Sequence, residues 1–177
     1  VLVVLVRHGP AAAVDGTVVR TDAERPLSPE GRGRTAEAAR GLATLLTQPL
    51  TIVTSPLRRA QETAAILAGA LPLRGPLVTS EALALGGPYE EIVGEPAVRA
   101  AGGDVVLVGH EPSLEALASW LLTGQADLRL QIRKASALAI DHLGPPRRAG
   151  GTLAWFLPPR VLCHLGGAPS PASSKES

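Results

Sequence analysis

The chain has 177 residues, 45% of them hydrophobic and 2% aromatic, with a formal net charge of +1 and one cysteine. That length and apolar content support a single domain with its own core and exclude a disordered chain. Balanced charge with almost no aromatic rings excludes a basic, ring-lined nucleic-acid surface, and Cys163 alone excludes internal disulfides and finger-type zinc modules.

Residues 1–6, VLVVLV, are a continuous apolar run cut off by Arg7-His8-Gly9-Pro10, which predicts a buried parallel strand. The run is too short to span a membrane and lacks the basic start of a signal peptide, so the expected location is the cytoplasm, with no membrane partner. Residues 11–27 carry no period and read as a loop. Ser28-Pro29-Glu30 supplies a cap, a proline for the first turn and an acid, and Ala36, Ala39, Leu42, Ala43 and Leu46 follow at helical spacing.

A second strand is expected at 50–54, and Ser55-Pro56 reads as a second cap-and-proline start for a helix reaching about Gly69. A short strand is expected at 76–80 and one helix over 89–101. Residues 104–108, DVVLV, form another apolar strand ending at Gly109-His110, and Glu111-Pro112-Ser113 opens a helix to Leu122. Residues 135–142 and 152–157 read as a hairpin or two edge strands. Strands alternating with helices predict a single three-layer α/β/α domain over 1–165 with a mostly parallel central sheet, and the Ser/Pro/Gly-rich residues 166–177 predict a disordered tail. The loose G-x-G-x-x-A pattern at Gly31 lies inside the first helix rather than after a strand, so it does not mark a dinucleotide site.

The carboxyl ends of parallel strands line the ligand crevice of such sheets, and His8 and His110 each follow one. Either histidine alone fits a hydrogen-bonded turn residue. Together with Arg7 and the pair Arg58-Arg59 they suit a phosphate or carboxylate anion, with an imidazole able to attack phosphorus and fixed cations to balance the transferring oxygens. This predicts covalent phosphoryl transfer with no metal and no cofactor. Lys134, His142, Cys163 and His164 lie apart from these motifs and are read as structural or surface residues.

Arg7-His8-Gly9 after the first strand, TSPLRRAQETA at 54–64 and VLVGHEP at 106–112, in that order, resemble the histidine phosphatase superfamily with its phosphoglycerate-mutase-like fold. LSPEG at 27–31 also looks like the family's L-[ST]-x-x-G, so the likeness spans about 1–157. The resemblance implies that His8 is the nucleophile that becomes phosphorylated. It implies Arg7, Arg59 and His110 as phosphate ligands, with Arg58 turned outward. For the general acid it points to Glu81, with Glu90 and Glu91 as rivals. The short connection before His110, the RHGPAA start and SALAID at 136–141 look similar to SixA-type phosphohistidine phosphatases, so the expected partner is a protein phosphohistidine. A small-metabolite phosphomonoester is the alternative substrate. A phosphate- or phosphoprotein-binding module without turnover is the alternative of a different class.

Overall fold

The computed structural model describes residues 1–14, 16, 19, 21–84, 88–99 and 102–167. Six strands form one sheet: β1 (Leu2–Arg7), β2 (Thr51–Thr54), β3 (Val78–Thr79), β4 (Val105–Gly109), β5 (Ala137–His142) and β6 (Gly151–Leu157). Their spatial order is β3-β2-β4-β1-β5-β6. The first four are mutually parallel, whereas β5 runs antiparallel to both β1 and β6. The domain is thus α/β with a mixed, mostly parallel sheet, and 135–157 does form the expected hairpin.

Alternation along the strands explains the layers, because successive side chains of a strand leave opposite faces. Val4, Val6, Val106 and Val108 pack with Leu42, Leu67 and Leu162 on one face, and Val3, Leu5, Val105 and Leu107 pack with Ile92, Val98, Leu117 and Leu121 on the other. The first face is covered by α1 (Pro29–Leu45), α2 (Arg58–Ala68) and α6 (Pro159–Leu165), the second by α3 (Tyr89–Gly94), α4 (Pro96–Arg99) and α5 (Ser113–Thr123). Central strands buried on both faces must be apolar throughout, which is why β1 and β4 stand out as continuous runs.

At the start of α1, Ser28 Oγ accepts the Gly31 N–H at 3.0 Å, as the cap pattern predicts. The second cap does not form. Helix α2 begins at Arg58 with Leu57 in the cap position and no side-chain cap bond there, while Ser55 Oγ, two residues earlier, accepts the Leu57 N–H at 3.3 Å and meets His110. The single helix expected over 89–101 is two, broken at Glu95, whose extended ψ of 126° is what a residue before proline adopts. Residues 100 and 101 lie outside the described residues.

Helix α6 was not expected from the sequence. Seven residues with only Leu162 buried are too short for a helical period to show. It lies close against α1, since a Cβ on Gly41 would sit 1.9 Å from the Leu162 carbonyl oxygen. Of the tail predicted to be disordered, residues 168–177 lie outside the described residues, and Gly166 and Gly167 follow α6.

Candidate active site

The register places Arg7 opposite Gly109, so β1 and β4 end side by side and His8 and His110 leave the sheet together. Their ring centroids are 5.1 Å apart. Strand β2, the other neighbour of β4, ends beside them, and the Ser55 N–H donates to the Val108 carbonyl. The turn after β2 leads into α2, whose first residues carry Arg59 back over the strand ends. Four of the five predicted site residues, Arg7, His8, Arg59 and His110, therefore belong to one cluster.

His8 is 6% exposed. Its Nδ1 lies 2.7 Å from the Gly9 carbonyl oxygen, and its Nε2 lies 3.2 Å from the Nε of Arg59. A carbonyl only accepts and a guanidinium only donates, so the pair of contacts assigns the tautomer: Nδ1 carries the proton and Nε2 presents its lone pair. Burial drives the His8 pKa down to about 3, and the charges of His110, Arg59 and Arg7 add to this against the opposing Gly9 bond. The ring is therefore neutral at neutral pH.

The turn that holds His8 is fixed from behind. The Gly9 N–H donates to Thr63 Oγ1 at 3.1 Å, and the Thr63 hydroxyl donates to the Arg59 carbonyl at 2.7 Å, tying the loop after β1 to α2. Glycine is required here, because a Cβ on residue 9 would lie 2.1 Å from Thr35 Oγ1 in α1. His110 is equally buried, and its Nε2 lies 2.8 Å from Ser55 Oγ, which also accepts the Leu57 N–H. Burial first, then Arg59 and Arg7, lower its pKa to about 4, with Asp22 opposing.

Arg59 is almost wholly buried, and its remaining donors go to one residue: Nη1 to the Asp22 carbonyl at 2.7 Å and Nη2 to Asp22 Oδ2 at 2.9 Å. Arg58 points outward and pairs with Glu62 at 3.0 Å, as the resemblance implied. Arg7 donates from Nη1 to the Ile132 carbonyl at 2.8 Å, and its Nε has no partner among the described residues.

Glu81 follows the end of β3, where the Ser80 N–H donates to the Thr54 carbonyl at 2.9 Å, next to Ser55. It is exposed on a single 3-10 turn, Glu81–Leu83, after the edge strand β3, with β2 and β4 lying between β3 and β1. It makes no hydrogen bond or ion pair with the other four among the described residues. Glu90 and Glu91 are exposed on α3. Two further carboxylates adjoin the cluster. Asp22 is held ionised by its bonds to Arg25 and Arg59, which lower its pKa. Glu111 shares a pocket with Arg7, Glu115, Gln131 and Arg133, and burial pushes its carboxyl up to about 7, against the pull of Arg7 and with the push of Glu115.

A family model of the histidine phosphatase superfamily (branch 1) matches residues 3–84. An uncharacterized protein of Picosynechococcus sp. is 36% identical over 136 residues, covering 76% of this chain and 81% of its own length. The fold is similar to that of the protein histidine phosphatase SixA complexed with tungstate, with a TM-score of 0.76 at 21% identity over 90% of this chain and 97% of that one. It is also similar to a phosphoserine phosphatase of Entamoeba histolytica, with a TM-score of 0.66 at 15% identity over 91% and 98%. A mycobacterial glucosyl-3-phosphoglycerate phosphatase gives 0.62 at 22% identity over 88% and 98%. The chain belongs to the histidine phosphatase superfamily. Its enzymatic class is that of a phosphatase, a hydrolase of phosphoryl groups.

Proposed function

We propose that this protein hydrolyses phosphohistidine on a partner protein through a phosphorylated His8. The observation that carries the reading is the state of His8: a buried, neutral ring with Nδ1 donating to Gly9 and the Nε2 lone pair facing Arg59. In the first step Nε2 attacks phosphorus and the bond to the substrate's imidazole nitrogen breaks, that nitrogen taking its proton from water. Arg7, Arg59 and His110 balance the charge on the three transferring oxygens. In the second step water attacks the phosphoryl group on His8, releasing inorganic phosphate and restoring the neutral ring.

Two features favour a phosphohistidine over a phosphomonoester. An imidazole leaves far more readily than an alkoxide and depends less on a general acid. Of the nearby carboxyls, Asp22 is held ionised, Glu81 makes no hydrogen bond or ion pair with the four clustered residues among the described residues, and Glu111 feels the charge of Arg7 rather than of either histidine. The second feature is the short described covering. Between α2 and β4 the described chain has only β3, one 3-10 turn and helices of 6 and 4 residues, a scale suited to admitting a side chain borne on a folded protein.

The test is phosphate release from a phosphohistidine-bearing carrier protein, measured beside phosphoserine and a panel of sugar and nucleotide monophosphates. Preferential loss of the protein phosphohistidine, abolished in His8→Asn, is expected. Preference for one monophosphate would reassign the substrate to a metabolite, and phosphate binding without turnover of anything would make the protein a binding module.

A further inference from the structure

Arg59 in the free protein already holds an anion. Its guanidinium reaches the Asp22 side chain at 2.9 Å and the Asp22 carbonyl at 2.7 Å, while Arg25 grips the other carboxylate oxygen at 2.9 Å. This contact joins residues 37 apart in sequence. The segment bearing Asp22 is tied to the start of α2, because the Arg58 N–H donates to the Ala23 carbonyl at 3.1 Å. Arg25 in turn donates from Nε to the Ala12 carbonyl at 2.7 Å. The carboxylate is thus delivered to the arginine by a braced loop.

The two partners differ in freedom. The Arg59 side chain is 5% exposed, whereas that of Asp22 is 51% exposed. When a dianion arrives, Arg59 has nowhere to go, but Asp22 can rotate into solvent about its own side-chain bonds while its main-chain carbonyl stays in place. A phosphoryl group carries more charge than one carboxylate and also engages Arg7 and His110, so it wins the guanidinium.

We propose that Asp22 is a resident counter-anion of the phosphate site, displaced from Arg59 by the incoming phosphoryl group and returning when phosphate leaves. The inference rests on the assignment of Arg59 as a phosphate ligand made under the proposed function. Its consequence is a site that binds free inorganic phosphate weakly. The carboxylate costs phosphate and substrate alike, and a substrate offsets this through contacts made by the rest of the phosphoprotein, which the released phosphate lacks. Asp22 in this role sets affinity and product release and takes no part in bond making.

The experiment is calorimetric titration of the full chain with inorganic phosphate and with tungstate, which needs no turnover. Asp22→Asn keeps the side-chain shape and removes its charge, and Glu24→Gln removes a charge from the same segment without touching Arg59. Asp22→Asn is expected to bind phosphate roughly tenfold more tightly than the parent chain, with Glu24→Gln close to the parent. Equal tightening in both variants would reduce the effect to the general field of the loop and overturn displacement. Unchanged or weaker binding in Asp22→Asn would overturn it as well, making Asp22 a positioning residue for Arg59. A crystal structure with tungstate gives a readout independent of affinity: the oxyanion replaces Asp22 on Arg59 Nη2, and an intact Asp22–Arg59 pair beside bound tungstate would refute the proposal. Failure of the parent chain to bind either anion would instead remove the phosphate-site reading on which the inference rests.

Discussion

The protonation state of His8 is the feature most open to direct attack, because a nucleophilic histidine must be neutral to react. An ordinary histidine with a pKa near 6.5 is only about 3% neutral at pH 5, whereas a ring with a pKa of about 3 remains about 99% neutral there. The difference is about thirtyfold in available nucleophile. The sign for stability follows from the same shift. Below pH 6.5 the unfolded chain binds a proton at residue 8 that the folded chain refuses, so the fold loses stability as pH falls from about 6.5 toward about 3. The full loss from this one ring is on the order of 5 kcal/mol, at about 1.36 kcal/mol per pH unit. The assay is a titration of 13C-labelled histidine Cε1 resonances in the free protein, with the His8 signal assigned by its disappearance in His8→Asn. It avoids the substrate's own ionisation, which would enter a rate profile. A His8 midpoint between pH 6 and 7 would refute the burial argument.

Arg59→Ala should abolish measurable phosphatase activity, whereas Arg58→Ala, which breaks only an exposed ion pair with Glu62, should leave turnover close to the parent and cost at most about 1 kcal/mol in urea unfolding. Thr63→Val leaves the buried Gly9 N–H without an acceptor, so it should destabilise the chain by about 1–3 kcal/mol and lower kcat, with Thr63→Ser restoring both in stability and rate assays. Glu111 has its pKa raised, so its contribution runs opposite to that of His8. That contribution should fall as pH rises from about 4.5 through about 7, so the stability of the parent chain relative to Glu111→Gln, from unfolding midpoints measured across that window, should decline as pH rises.

The parts of the fold that the sequence exposes most clearly are those where burial on both sheet faces forces an unbroken apolar run. β1 and β4 announce themselves this way, and their abrupt ends at Arg7-His8-Gly9 and Gly109-His110 mark the crevice. Arg59 was separable from Arg58 only through the family pattern. Ser55 shows the limit of local rules, since Ser-Pro before a helix reads as a cap, yet its hydroxyl is recruited by His110 across the β2–β4 boundary. Asp22 was invisible for a related reason: it lies in a segment without period, and its partner is 37 residues away. For Glu81 the sequence supplies only its place after β3, and among the described residues no hydrogen bond or ion pair links it to the four clustered residues. Thr63 carried a weak signal, standing four residues after Arg59 and hence on the same helix face.

The central claim is that His8 Nε2 becomes covalently phosphorylated, and the most direct test is to trap that species. The chain would be mixed with a phosphohistidine carrier protein labelled with 32P, quenched in alkali within milliseconds and digested for peptide mapping. The account predicts label on the peptide containing His8, stable in alkali and lost in acid, with none in His8→Asn. Rapid phosphate release with no label on His8 at any quench time, or label and turnover retained in His8→Asn, would contradict it.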